Sequence, residues 1–230
     1  MKRLLLLFAV IPFAVVSSLQ AGGDGACAEN PPASLMSALI DQAPGLTREV
    51  LRLALEASNC AVQRGLVKRR DLLTVIDYSI SSSEPRMFVF DLAEKKLLFR
   101  ELVAHGKNSG GDRPDRFSNE HGSLATSLGL FVTADTYNGS NGYSLRLLGL
   151  EQGVNDQALN RAIVMHGAHY VSKTAVRVLG RLGRSWGCPA VRAEIADTII
   201  NKVRGGSPVF AYYPDKHWLA SSAFLPKTRG

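Results

Sequence analysis

The hydrophobic spacing of the chain changes near residue 70 from a helical repeat to short strand-like runs. Over 31–68 apolar residues recur at three- and four-residue intervals, and Thr47 is placed to cap a second helix. From Leu73 onward the apolar runs are short and rich in β-branched and aromatic residues. The pattern predicts an α+β fold, with a helical lead-in over 31–68 that packs on a β-rich body over 73–215.

The body combines hairpin-like strands with few helices, which predicts an antiparallel or mixed sheet. Asp91–Lys96 is expected to turn between two strands, whereas His105–Ser123 is polar, lacks periodicity and predicts a long ordered loop. Helices are expected over Ser172–Leu179 and from about Val191 to Val203. The strand-like segments are 73–78, 86–90, 97–103, 127–133, 143–147, 162–165 and 209–213.

The first residues have the pattern of a secretory signal peptide. Lys2 and Arg3 precede the apolar run Leu4–Val16, which is shorter than the roughly 20 residues that a membrane span needs. We therefore expect residues 1–21 to be removed, although an uncleaved anchor is the alternative. The protein is then exported to the periplasm or cell envelope, without stable membrane insertion after cleavage. Candidate last residues of the signal are Ser18, Ala21 and Ala28.

The charge balance is basic. The 230 residues include 27 Lys and Arg against 20 Asp and Glu, and cleavage after Ala21 lowers the net charge from +7 to +5. A basic protein suits nucleic acid, an anionic envelope polymer or a membrane surface. Export argues against nucleic acid, and 46% hydrophobic residues argue against a disordered chain.

A histidine and a cysteine in the body form a candidate nucleophile and base. His166 and Gly167 end an apolar strand, and Cys188 follows His166 by 22 residues. A neighbouring imidazole can deprotonate a thiol, a following helix would favour the thiolate, and the N–H groups of Gly187 and Cys188 could face an oxyanion.

Two other interpretations of these residues remain open. Cys188 and His166 could both be structural, since a buried cysteine is often inert. A zinc site with His169 as a third ligand lacks an evident fourth ligand, so we expect neither metal nor cofactor.

The same residues resemble a known family. His166–Gly167 followed by Ser185–Trp186–Gly187–Cys188 resembles the HG…S-x-G-C signature of the L,D-transpeptidase (YkuD-type) family. Further blocks over 73–215 resemble the murein L,D-transpeptidase catalytic domain subfamily. These blocks are 74–79, 103–110, 127–129, 142–147 and 180–190.

The resemblance implies a β-rich catalytic domain that acts on peptidoglycan. Its donor is a tetrapeptide stem that releases D-Ala while the acyl group forms a thioester on the cysteine. By this resemblance Cys188 is the nucleophile, His166 is the base, and Gly187 with Cys188 supplies the oxyanion donors. The alternatives are an L,D-carboxypeptidase that uses water as acceptor, or a catalytically silent wall-binding protein on the same fold.

The chain departs from the family beside the cysteine. Trp186 stands where a His, Asn or Lys is usual, and Ala190 stands where an arginine is usual. Arg181 or Arg184 could supply the missing charge for a substrate carboxylate. Further expected substrate contacts are Ser185, Trp186 and Tyr143.

Two expectations concern other residues. The polar residues of the 105–109 loop, which are His105, Lys107, Asn108 and Ser109, could line the cleft or order the loop. If Cys27 survives processing, we expect it to pair with Cys60, which leaves Cys188 as the free thiol of the three cysteines.

Overall fold

The structure, a computed structural model, describes Cys27 and residues 30–226. The predicted signal peptide, residues 1–21, lies outside the described residues. Across the part of the chain that is described, no helix has both the length and the apolar character needed to cross a bilayer.

Five helices and nine strands make up the described part of the chain. The helices are α1 Ala33–Ile40, α2 Arg48–Gln63, α3 Lys173–Leu179, α4 Ala193–Val203 and α5 Lys216–Ser221. The strands are β1 Leu72–Asp77, β2 Met87–Asp91, β3 Lys96–Glu101, β4 Val103–Ala104, β5 Gly129–Gly139, β6 Gly142–Gly149, β7 Val164–Ala168, β8 Ala190–Arg192 and β9 Pro208–Tyr212.

The strands form one mixed sheet in the order β3-β2-β1-β9-β5-β6-β7-β8-β4. Two pairs, β1 with β9 and β7 with β8, are parallel, and the remaining neighbours are antiparallel. The predicted mixed, β-rich α+β fold is confirmed. The hairpin at Asp91–Lys96 is also confirmed, because these two residues are partners in the β2–β3 ladder.

The N-terminal helices share the core of the sheet. The Thr47 hydroxyl accepts a hydrogen bond from the Val50 N–H at 3.2 Å, so Thr47 caps α2 as expected. Leu51 of α2 is fully buried and belongs to the same apolar cluster as Val75 of β1 and Phe210 of β9. A disulfide joins Cys27 to Cys60 in α2, which confirms the predicted pairing.

Two elements near the C-terminus differ from the prediction. The helix expected from Val191 begins at Ala193, because Val191 belongs to β8 and pairs with Val103 of β4. A strand of three residues is too short to show an alternating pattern, so the sequence did not reveal β8. The segment after Pro214 contains α5, whose N-terminus is capped by the Asp215 carboxylate.

Candidate active site

His166 lies in the middle of β7 with its imidazole buried. It is directly opposite Ser144 of β6 and Ala190 of β8, and only 4% of its surface is exposed. Its Nδ1 is 2.9 Å from the Gly167 carbonyl oxygen, which can only accept a hydrogen bond. Nδ1 therefore carries the proton of the neutral ring, and Nε2 is left with the lone pair. Burial lowers the pKa of His166, so the ring is a neutral potential base at neutral pH.

Gly167 lets α4 approach the strand that carries His166. A Cβ on this glycine would lie 2.9 Å from the Cβ of Ala196 and 3.1 Å from the Cα of Ala193. Any side chain here would push α4 away from β7. A glycine is therefore needed after the histidine so that β7 can pack closely against α4.

Cys188 lies two residues before the start of β8, the strand that pairs with the histidine strand. The parallel register places His166 opposite Ala190, two residues after the cysteine, so the two predicted reactive residues are on adjacent chain segments. The thiol donates to the Ala162 carbonyl oxygen at 3.7 Å and its sulfur accepts from the Val164 N–H at 3.5 Å. Both partners are backbone groups, so the thiol is not hydrogen-bonded to the imidazole in this arrangement.

The environment of the thiol corrects one expectation. Cys188 was expected just before a helix, whose dipole would favour the thiolate, but the next element is β8. Burial instead raises the pKa of the Cys188 thiol, and only 8% of the residue is exposed. At neutral pH the resting site is therefore a thiol beside a neutral imidazole.

The cysteine turn, residues Ser185–Cys188, is held by its own serine. The Ser185 hydroxyl donates to the Cys188 carbonyl oxygen at 2.7 Å and accepts from the Gly187 N–H at 3.1 Å. The predicted use of the Gly187 N–H as an oxyanion donor is therefore not seen, because Ser185 occupies it. The Cys188 N–H remains as the candidate donor from this turn.

Both the backbone conformation at position 187 and the atoms around it require a glycine there. Its φ is +123°, and a Cβ here would lie 2.8 Å from the Ala125 carbonyl oxygen. An L side chain would be strained in this conformation and would collide with the neighbouring backbone.

The polar loop predicted at 105–123 is ordered by the cysteine turn. The Ser185 N–H donates to the His105 carbonyl oxygen at 3.0 Å, and the Lys107 N–H donates to the Ser185 carbonyl oxygen at 2.8 Å. Thr126 joins the two segments, since its hydroxyl donates to the Gly187 carbonyl oxygen at 3.2 Å and accepts from the Gly106 N–H at 2.9 Å. These bonds favour the loop-ordering interpretation for His105 and Ser109, which are buried, whereas Lys107 and Asn108 are exposed.

The two arginines expected to bind a substrate carboxylate are half-buried and donate hydrogen bonds to backbone carbonyl oxygens. The Arg184 guanidinium donates to the carbonyl oxygens of Gly110, Gly111 and Leu182. Arg181 donates to the Leu182 carbonyl oxygen at 3.0 Å. Arg184 thus ties the 105–111 loop to the segment before the cysteine, and three of its five N–H groups are engaged by these carbonyl oxygens.

The remaining expected contacts divide into one near the turn and one far from it. Trp186 is 74% exposed on the cysteine turn, with the Lys107 ammonium 5.9 Å from its ring centre. Tyr143 is not brought to the site. Its hydroxyl donates to the Asn201 side chain of α4 at 2.9 Å, whereas the neighbouring Ser144 is the partner of His166.

Sequence reasoning missed a buried pair next to the site. Arg86 is fully buried, and one of its guanidinium nitrogens lies 2.7 Å from Nδ1 of His105. Because a guanidinium can only donate, Nδ1 is the acceptor, and the Nε2–H of His105 donates to the Gly111 carbonyl oxygen at 3.1 Å. The signal available was weak, since a lone arginine before a strand is normally exposed.

A second missed residue, Arg161, lies beside the cysteine turn. Its guanidinium is half-buried, with Nη2 3.4 Å from the position that a Gly187 Cβ would occupy. It comes from a segment without periodicity, and its only sequence signal was its place just before the histidine strand.

The family comparison matches most of the chain. A family model for the L,D-transpeptidase catalytic domain matches residues 42–212, which include α2, the whole sheet and the cysteine turn. A comparison with curated proteins finds no match.

Solved structures of low identity also match the chain. An L,D-transpeptidase from Mycobacterium smegmatis is 15% identical with a TM-score of 0.39, over 62% of this chain and 59% of that one. The helical cell shape determining protein Pgp2 from Campylobacter jejuni is 12% identical with a TM-score of 0.41, over 63% and 48% of the two chains. An L,D-transpeptidase from Xylanimonas cellulosilytica is 13% identical with a TM-score of 0.36, over 85% and 98%. The matched region thus spans about three fifths of the Mycobacterium smegmatis protein.

Proposed function

Because this chain belongs to the L,D-transpeptidase catalytic domain family, we propose that it is a cysteine-dependent acyltransferase acting on peptidoglycan stem peptides. The observation that carries the proposal is the parallel pairing of β7 with β8. It brings a neutral, buried His166 with an unprotonated Nε2 next to the strand that follows the free Cys188. Acyl transfer by a cysteine requires at least a thiol and a nearby base, and these two chain segments supply both.

In the proposed reaction Cys188 attacks the carbonyl carbon of the diaminopimelate residue that precedes the terminal D-Ala. The thiol proton passes to Nε2 of His166 as the C–S bond forms. The C–N bond to D-Ala then breaks, and the imidazolium returns the proton to the leaving amine. An amine of a second stem, or water, attacks the thioester and releases the thiol.

The resting geometry requires the thiol to change partners before it reacts. The Cys188 thiol proton points to the Ala162 carbonyl oxygen, and little of the residue is exposed. Rotation of the side chain away from Ala162 would free this proton for His166 Nε2. The Cys188 N–H would then be a donor for the oxyanion, in place of the Gly187 N–H that Ser185 occupies.

Substrate contacts are proposed for the exposed side of the cysteine turn. Trp186 with Lys107 offers an aromatic face and a positive charge on the solvent-exposed surface of this turn. Ser185 acts by holding the turn, and Arg184 acts by holding the 105–111 loop, whereas the bond that Arg181 donates is to its chain neighbour Leu182.

Purified protein incubated with tetrapeptide muropeptides, followed by mass spectrometry, tests this function. Dimeric products indicate transpeptidation, whereas tripeptides alone indicate the carboxypeptidase. Cys188→Ala should abolish both products, and His166→Asn should slow them by roughly 10²–10⁴-fold. His169→Asn is the matched control, because His169 is an exposed histidine three residues away.

A negative result in that assay would favour the alternative hypothesis, that the chain is a catalytically silent wall-binding protein. No product with wild-type protein, together with no carbapenem adduct on Cys188, would contradict the enzyme. Binding to isolated sacculi that survives Cys188→Ala would then support the binding alternative.

Export to the periplasm or cell envelope is part of the proposal. The Cys27–Cys60 disulfide supports it, because such bonds persist in oxidising compartments. N-terminal sequencing of the mature protein tests the expected cleavage. A mature chain that begins after Cys27 would contradict the pairing as a feature of the working protein.

A further inference from the structure

Arg161 brings a guanidinium to the wall of the site beside the thiol. Its Nη2 lies 3.4 Å from the position of a Gly187 Cβ, one residue before the cysteine. The carbonyl group of the next residue, Ala162, accepts the Cys188 thiol hydrogen bond. The side chain and the adjoining backbone of this segment therefore both approach the cysteine.

The acceptors that hold Arg161 are all neutral. Its guanidinium donates to the carbonyl oxygens of Ser118 and Ala125, both at 2.6 Å, and to the hydroxyls of Ser123 and Ser127. None of the ion pairs among the described residues includes Arg161. The charge is fixed in position by four acceptors yet is not neutralised by a carboxylate.

We propose that Arg161 is a positioning residue whose uncompensated charge stabilises the thiolate of Cys188. The inference rests on the proposed function, in which Cys188 is the nucleophile. The other titratable groups near the thiol are neutral at neutral pH, namely Tyr78 and Tyr170, whose pKa values are raised by burial, and His166 on the adjacent strand, whose pKa is lowered by burial. Arg161 is therefore the permanent charge among them.

The electrostatics of the thiol agree with this placement. Burial raises the pKa of Cys188, and the Val164 N–H, followed by the charge of Arg161, opposes that increase. A buried thiolate without a nearby cation would be strongly disfavoured, because little water reaches it. The four hydrogen bonds hold the guanidinium in place and prevent it from turning towards solvent. Its positive charge therefore stays near the sulfur throughout the reaction.

The pH dependence of Cys188 alkylation by iodoacetamide, followed by mass spectrometry, tests the proposal. Arg161→Gln should move the midpoint of the alkylation rate up by about one pH unit, while Arg161→Lys should keep most of the wild-type midpoint. The disulfide protects Cys27 and Cys60 from the reagent. The matched control is Arg100→Gln, which removes the same charge from edge strand β3.

The outcomes separate an electrostatic role from a structural one. If Arg161 only holds the loop, Arg161→Gln and Arg161→Lys will change the rate at every pH by similar factors and leave the midpoint unchanged. That result would overturn the proposal. Should Arg161→Gln fail to fold by circular dichroism, Arg161→Met takes its place in the same comparison.

Alkylation needs no muropeptide, so it is independent of the activity assay. Inactivity toward muropeptides would therefore count against the proposed function alone. An unshifted midpoint in an active protein would count against Arg161 alone.

Discussion

At the scale of single residues, the most unusual contact is a histidine whose hydrogen-bond partner is a buried arginine. His105 accepts from Arg86 through Nδ1 and cannot add a proton there without losing this bond. Burial, followed by the positive charge of Arg86, lowers the pKa of His105 to about 3. The ring stays neutral in the folded protein over a range where a histidine of the unfolded chain gains a proton.

This contact predicts loss of stability in acid. As pH falls from about 6.5 towards 3, the unfolded chain binds a proton that folded His105 does not, at a cost of up to about 1.4 kcal/mol per pH unit. His105→Asn keeps an acceptor for Arg86 but does not titrate. The urea midpoint should therefore fall less steeply between pH 6.5 and 4.5 than in the wild type.

The control for this prediction is His121→Asn, which removes an exposed histidine. It should follow the wild-type pH profile. Identical profiles for His105→Asn and the wild type would contradict the prediction, because they would show that His105 gains its proton over the same pH range in the folded and the unfolded protein.

Gly187 allows a second prediction at the residue scale. Gly187→Ala combines a φ of +123° with a contact of 2.8 Å to a carbonyl oxygen, whereas Gly153→Ala has a φ of +75° and open space around the new Cβ. We expect losses in the free energy of unfolding of about 3 kcal/mol or more and about 1 kcal/mol, respectively. Chemical denaturation of both variants measures the difference, and equal losses would contradict the close packing of the cysteine turn.

At the scale of elements, α2 is cross-linked to the start of the described chain. Cys27 and Cys60 are 33 residues apart, and closing a loop of that length restricts the unfolded chain. Cys27→Ser should lower the free energy of unfolding by about 3–4 kcal/mol. Thermal melts with and without reductant check this, because reductant should destabilise the wild type and leave Cys27→Ser unchanged.

The elements also show what local sequence can predict. The strands of the body and the Thr47 cap follow from period and cap chemistry, which are local properties. Three-residue β8 does not, since it exists through pairing with β7 and β4, which are distant in sequence. The contacts of Arg161 and Arg86 could not be predicted for the same reason, because their partners are distant in sequence and meet only in the folded chain.

The candidate site also combines features that local sequence predicts with features that only the folded chain determines. Motif residues identified His166 and Cys188, but the use of the Gly187 N–H by Ser185 depends on the rotamer of one hydroxyl. The bonding of Tyr143 to α4 likewise follows from which face of β6 it occupies. Residue identity therefore predicted which chain segments carry the candidate site better than it predicted the hydrogen-bond donors around them.

At the scale of the whole molecule, the lead-in and the sheet share one core. Leu51 of α2 is fully buried, whereas Leu66 beyond the helix is 42% exposed. Leu51→Ala should cost about 2–4 kcal/mol, and Leu66→Ala should change stability little. A single cooperative urea transition for the wild type, shifted as a whole by Leu51→Ala, checks that the helices do not unfold separately.

The parallel pairing of β7 with β8 has a consequence for redesign. Parallel neighbours need a crossover, and here that crossover is the stretch with α3, whose Val178 and Leu179 face solvent. The distance between histidine and cysteine across the sheet is set by strand register and not by the length of the crossover. We therefore expect the exposed end of α3 to accept an affinity tag, a fluorescent label or a grafted recognition loop close to the candidate site without a change in strand register.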